Sequence, residues 1–394
     1  MRSVQIMNHI YLDYASATPV MPEVKQAMAQ AMEEFGNPSS LHEPGRRARQ
    51  ALERARGQVA ALIGAKPEEM YFTSCGTESN NWAIRGLLAA NKRKGNHLIA
   101  SSIEHPSILL LAKRFEREGC DVTYLPVTTE GIVEPQALTA ALTPTTALVS
   151  IMHANGEIGT IEPVTDLAAM TKEAGALFHT DAIASAGHVP VDVKQLGVDA
   201  LSLAANQFYG PSGIAALYVR EGVRILPWLE GGGQETGARS GTENVIGIVG
   251  MGVAAELART QMAARMAHTS VLRDQLKEGI LQRLEGVRLN GSWPARLPHN
   301  LHICIEGVSS ESLVLGLDAA GIAVGIGSAC NSKAMRPSHV LKALGLSDED
   351  AKGALLLTVG SPTTDEQDIK QCLEILPKVA SQIRNVTALT MVRP

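Results

Sequence analysis

The sequence predicts an α/β protein with a large domain built on a mainly parallel sheet, covered by helices on both faces, and a smaller α+β domain. Three observations lead there: short apolar runs alternate with helical patterns from about residue 70 to 220, a long helical segment follows, and short strands and helices then restart near the C-terminus. The first strand is expected at Met70-Tyr71-Phe72-Thr73 and the next at His97-Leu98-Ile99-Ala100. Val122-Thr123-Tyr124-Leu125, Ala147-Leu148-Val149-Ser150-Ile151-Met152 and Ala200-Leu201-Ser202-Leu203 continue the series, with helices between most of them. A segment rich in Ala, Met and Arg from about Ala254 to Leu284 reads as a helix, and Asn290-Gly291-Ser292-Trp293-Pro294 breaks the pattern. Leu301-His302-Ile303-Cys304-Ile305 then reads as a strand and Ser310 to Ala320 as a helix. The expected division is a large domain over 10–260, with 1–9 and 261–394 forming the smaller one.

At 394 residues, 45% hydrophobic and 19% charged, the chain can bury a large core. A net charge of −5 and no basic block longer than Lys92-Arg93-Lys94 argue against nucleic acid as a partner. No apolar stretch approaches the ~18 residues of a membrane span, and Met1-Arg2-Ser3-Val4-Gln5-Ile6 has no signal-like apolar region, so a cytoplasmic location is expected. Five cysteines without CxxC spacing indicate neither a disulfide framework nor a zinc ribbon.

Ligands of such sheets sit at the carboxyl ends of strands, which directs attention to the strand-to-helix loops. Thr73-Ser74-Cys75-Gly76-Thr77-Glu78-Ser79-Asn80-Asn81 follows a strand and opens a helix, presenting free amides and hydroxyls to an anion or simply capping the helix. Cys75 would stand at that helix N-terminus, an environment favouring thiolate, although a small buried hydrophobe is the commoner fate of a lone cysteine. His105, Asn155 and Asp181 could each, taken alone, be a satisfied polar group at a strand end.

Taken together, these segments resemble the cysteine desulfurases (NifS/IscS-like), pyridoxal-phosphate (PLP) enzymes of the class V aminotransferase, type I PLP-transferase fold. The resemblance implies that Gly76 and Thr77 lie in the loop cupping the PLP phosphate. It implies that His105 stacks on the pyridine ring and relays protons, that Asn155 bonds the phenolic oxygen, and that Asp181 pairs with the pyridinium nitrogen. Thr242, in Arg239-Ser240-Gly241-Thr242-Glu243-Asn244, matches a residue that reaches the partner subunit's site, which implies a homodimer. Cys330, in Gly325-Ile326-Gly327-Ser328-Ala329-Cys330-Asn331-Ser332, matches the nucleophile that carries persulfide sulfur.

Other positions depart from the pattern. Gln207 stands where the family has the lysine that holds PLP as a Schiff base, and a carboxamide nitrogen cannot form that bond. Ala204 and Asn206 replace a serine and a histidine that help bind phosphate, Ala184 replaces a glutamine, and Ser361 replaces the arginine that grips the substrate carboxylate. The resemblance therefore implies a homologue acting in sulfur transfer or iron–sulfur cluster assembly without covalent PLP. Cys330 would be its sulfur acceptor or, with Cys75, an iron–sulfur ligand, and a scaffold or other sulfur-acceptor protein its partner. The alternatives are an active desulfurase with non-covalent PLP and a regulatory partner of an intact desulfurase.

Overall fold

The computed structural model describes residues 9–327, 337–361 and 363–391. In chain order the strands are β1 (Ile10–Leu12), β2 (Met70–Thr73), β3 (His97–Ser101), β4 (Asp121–Leu125), β5 (Thr146–Ser150), β6 (Leu177–Asp181), β7 (Ala200–Ala204), β8 (Ala215–Val219), β9 (Val287–Leu289), β10 (Asn300–Ile305), β11 (Ile322–Val324) and β12 (Ala354–Thr358). Seven of them form one sheet in the order β2-β8-β7-β6-β5-β3-β4. Only β8 runs antiparallel to its neighbours there; the pairs from β7 to β4 are parallel. Alternate side chains enter opposite layers. Leu98, Leu148, Ala200 and Leu217 pack on one face with Trp82 and Ile108, while Ile99, Val149, Leu201 and Ala216 pack on the other with Leu52 and Met251. A sheet buried on both faces needs near-continuous apolar strands, which is why β2, β3, β5 and β7 were legible as runs.

β6 was not legible as one, for a physical reason. Its sequence is Leu-Phe-His-Thr-Asp, and the buried His179 bridges its neighbours, pairing Nδ1 with Ser150 Oγ on β5 at 2.9 Å and Nε2 with Ser202 Oγ on β7 at 3.0 Å. A polar strand is tolerated in the core because each polar atom finds a partner. The long helix is also longer than its sequence suggests, running Val245–Arg283 with Asn244 capping the Gly247 amide. Its first turns are glycine-rich and read poorly as helix, and packing against the helix Glu43–Leu62 stabilises them instead. A second core joins Ile10 and Leu12 to residues from Leu272 onward, around the antiparallel sheet β12-β10-β9 and the parallel pair β1-β11. Among the described residues no helix is long and apolar enough to cross a membrane.

Candidate functional site

The loops leaving β2, β3, β5, β6 and β7 converge at the carboxyl ends of the parallel strands. Asp181 ends β6 and is 5% exposed. Its Oδ1 accepts the Ile183 amide at 2.9 Å and its Oδ2 accepts Asn80 Nδ2 at 2.7 Å, from the helix Gly76–Ala90. Burial raises its pKa, while the His105 charge and these hydrogen bonds pull it back. Asn80 Nδ2 also donates to Ser107 Oγ at 3.0 Å, and Ser107 Oγ lies 2.7 Å from His105 Nδ1. One network thus links Asp181, Asn80, Ser107 and His105. The Ser107 amide donates to His105 Nδ1 at 3.1 Å, which leaves the neutral ring's proton on Nε2 of an exposed imidazole.

Asn155 is buried and spent on holding its own turn. Its Oδ1 accepts the Glu157 and Ile158 amides at 2.9 and 3.0 Å, and its Nδ2 donates to Ile103 O at 3.0 Å. That amide nitrogen keeps a second proton for a ligand. Beneath these loops Glu104 is fully buried, its Oε1 accepting Ser101 Oγ and the Met152 amide. Burial, with Asp181 and Glu162 near, raises its pKa far above the carboxylate range.

The loop after β2 forms a cup at the start of the helix Gly76–Ala90, and its polar groups are partly satisfied within the chain. Cys75 is the exposed N-cap of the helix Gly76–Ala90 and makes no capping bond through its side chain. The Ser74 amide donates to Glu78 Oε2 at 2.7 Å, its hydroxyl bonds the same oxygen, and Arg239 Nε donates to Glu78 Oε1 at 2.9 Å. Burial opposes ionisation of Glu78, and the Arg239 and Ser74 bonds overcome it, holding the carboxyl below its usual pKa. Thr77 is exposed beside this cup, and Gly76 is where a Cβ would come 2.2 Å from Ile183 Cδ1. The exposed Thr242 lies in the loop before the helix Val245–Arg283.

Gln207 sits in a 3₁₀ turn after β7, and its Nε2 donates to Ala15 O at 3.0 Å. Its backbone carbonyl accepts His188 Nε2 at 2.6 Å. Ala204, the last residue of β7, presents a buried methyl and no donor, while the Asn206 carbonyl accepts the Thr18 amide and hydroxyl. Ser361 is buried, and its amide donates to Tyr209 Oη at 2.8 Å. Cys330 lies outside the described residues.

Residues 10–347 match the model of the family described as aminotransferase class-V. The chain belongs to the class-V aminotransferase family. It is 47% identical to the cysteine desulfurase IscS of Dictyoglomus turgidum, over 96% of both chains. It is also 47% identical to that of Methanosarcina thermophila, over 97% of this chain and 94% of the other. Among solved structures it resembles a NifS-like protein with a TM-score of 0.89 and 33% identity, over 95% of this chain and all of that one. The class-V aminotransferase family is PLP-dependent. The buried Asp181 carboxylate, oriented by Asn80 and linked through Ser107 to His105, has the chemistry to hold a pyridinium ring. Gln207, expected from the sequence at the cofactor's attachment point, carries a carboxamide, which forms no imine. Asn80, Ser107, Glu78 and Arg239 were not singled out from sequence, although Asn80 follows Thr77 by three residues on one helix face, a spacing that could have found it.

Proposed function

We propose that this protein works in sulfur transfer and iron–sulfur cluster assembly without covalent PLP, and that Cys330 is the thiol that accepts sulfur or ligates iron. The observation that carries this reading is Gln207, whose carboxamide is tied to Ala15 O where the resemblance implies a Schiff-base lysine. Sulfur reaches such a thiol by attack of the Cys330 thiolate on the outer sulfur of a persulfide donor. A new S–S bond forms, the donor's S–S bond breaks, and the donor leaves as a thiolate.

As an iron ligand, Cys330 would be joined by the exposed Cys75, and a partner protein or exogenous thiol would complete the set. Among the described residues no group of three His, Cys, Asp or Glu is placed to hold a metal. Phe35 at 82% and Leu41 at 90% exposure, on the loop before the helix Glu43–Leu62, support a homodimer covering that loop. A cytoplasmic setting accords with this reading.

A second reading, an active desulfurase with non-covalent PLP, is favoured by the Asp181–Asn80–Ser107–His105 network, which still suits a pyridinium ring. A third, a regulatory partner of an intact desulfurase, would use the exposed Thr242 across a shared interface.

The test is anaerobic purification followed by absorbance spectroscopy, iron and sulfide analysis and borohydride reduction, on wild type, Cys330→Ala and Cys75→Ala. The expected result is no pyridoxyl adduct, with iron or persulfide content that falls in Cys330→Ala. A pyridoxyl adduct on any lysine, or equal iron, sulfide and persulfide in all three proteins, would overturn the reading.

A further inference from the structure

Beneath the strand ends that carry His105, Asn155 and Asp181 lies a cluster of three buried carboxyls, those of Glu104, Glu162 and Asp181. The chain leaving β5 ties them together. The Met152 amide donates to Glu104 Oε1, the His153 amide to the Asp181 carbonyl and the Glu162 amide to the His153 carbonyl, each at 2.9 Å. Their side chains are served unequally. Asp181 accepts a donor on each oxygen, the Ile183 amide on Oδ1 and Asn80 Nδ2 on Oδ2. Glu104 takes both of its donors, the Met152 amide and Ser101 Oγ at 2.6 Å, on Oε1, and Glu162 takes one, the Val133 amide at 2.9 Å, on Oε2. Glu104 Oε2 and Glu162 Oε1 have no partner among the described residues.

No lysine or arginine bonds any of the three carboxyls among the described residues. Of the imidazoles around them, His105 places its charge against Asp181, and His339 spends Nε2 on the Glu104 backbone carbonyl at 3.0 Å. His153 is buried with Nδ1 unpartnered, and burial pushes it down to about 4, so its ring brings no charge near neutral pH. Neighbouring buried carboxyls do not all ionise. An oxygen without a donor is tolerated in a neutral acid and costly in a carboxylate.

We propose that Glu104 and Glu162 sit beneath the candidate site as proton-holding acids, positioning residues that confine the cluster's negative charge to Asp181. An entering group then meets one anion beside His105 rather than three. The Ser101, Met152 and Val133 bonds favour the carboxylates and offset burial only in part. Burial, with Asp181 and Glu162 adding to it, raises Glu104 far above the carboxylate range, and burial pushes Glu162 up to about 8. Those bonds survive protonation, because an amide can donate to the carbonyl oxygen of an acid and the Ser101 hydroxyl can accept from its O–H. Asp181 keeps the charge because it has a donor on each oxygen and His105 facing it.

The experiment is infrared spectroscopy of the whole protein in the window where protonated carboxyls absorb, with carbon-13 at the δ-carbon of glutamate to assign the bands. Wild type at about pH 7 is expected to show glutamic-acid absorption, of which Glu104→Gln removes one component and Glu162→Gln another. Between about pH 7 and about pH 9 the Glu162 component should fall about tenfold while the Glu104 component persists. Glu104→Gln exchanges one neutral group for another, so the Glu162 midpoint should move by less than about 0.3 pH units, whereas loss of an ionised neighbour would lower it by about one pH unit or more. With the label moved to the γ-carbon of aspartate, no acid band that Asp181→Asn removes should appear at about pH 7. Wild type without glutamic-acid absorption at about pH 7, or with none left at about pH 9, overturns the proposal without recourse to any variant. So does a Glu162 midpoint that falls by about one pH unit in Glu104→Gln, or an aspartic-acid band that Asp181→Asn abolishes.

Discussion

Gln207→Lys restores the amine that PLP chemistry needs and is expected to restore almost none of the activity. The substitution removes the hydrogen bond from Gln207 Nε2 to Ala15 O, a loss of about 1 kcal/mol that the fold can absorb. What it does not replace is the rest of the site. Ala204 offers a methyl at the end of β7, and Asn206 a neutral carboxamide where the resemblance implies a histidine. Ser361 offers no guanidinium to a substrate carboxylate, and its amide is bound to Tyr209 Oη. Hydrogen bonds to charged groups are worth about 1.5–3 kcal/mol each. Two missing contacts to phosphate therefore cost about 3–6 kcal/mol, or roughly two to four orders of magnitude in cofactor affinity. The missing arginine costs the substrate a further bidentate contact. Sulfide release from cysteine and borohydride trapping of a pyridoxyl-lysine measure the outcome. Gln207→Lys combined with Asn206→His and Ser361→Arg should exceed the sum of the single variants, because groups that act as a unit are not additive. Turnover by Gln207→Lys alone at ordinary enzyme rates, roughly 1–10³ s⁻¹, would refute the reasoning by showing that the other losses matter little.

Two predictions concern stability. Arg56 makes a two-pronged bond to Glu235 at 2.7 and 2.8 Å, with both side chains nearly buried and Glu235 and Thr236 held at φ of 45° and 55°. Arg56→Ala should lower unfolding free energy by about 3–5 kcal/mol, and Arg56→Met with Glu235→Leu should recover much of it; denaturant titration showing under about 1 kcal/mol for the single change would contradict this. Burial pushes Glu162 up to about 8, with the Val133 amide on Oε2 lowering it, so its contribution to stability is full below the unfolded pKa and lost as pH rises through about 8. Glu162→Gln should therefore gain on wild type between about pH 5 and about pH 9, by on the order of 4 kcal/mol; a melting-temperature difference that stays constant across that range would count against the burial argument.

The sequence by itself determined the α/β class and mainly parallel sheet, because strands buried on both faces must be written as apolar runs. It also determined the family, through the order and spacing of His105, Asn155 and Asp181. β6 escaped because its core-facing His179 is satisfied by serines on two other strands, a partnership that no local pattern reveals. The antiparallel β8 and the early start of the helix Val245–Arg283 escaped for a related reason, since pairing and packing with distant elements decide them. Only the tertiary structure joined Asp181 to His105 through Asn80 and Ser107, and paired Glu78 with Arg239 beside the loop after β2. Only there, too, does Glu157 meet both Gly327 and Ser338, the latter 181 residues away in the chain. Side-chain chemistry is written in the sequence, but which groups lie within hydrogen-bond reach is set by the strands and helices that carry them.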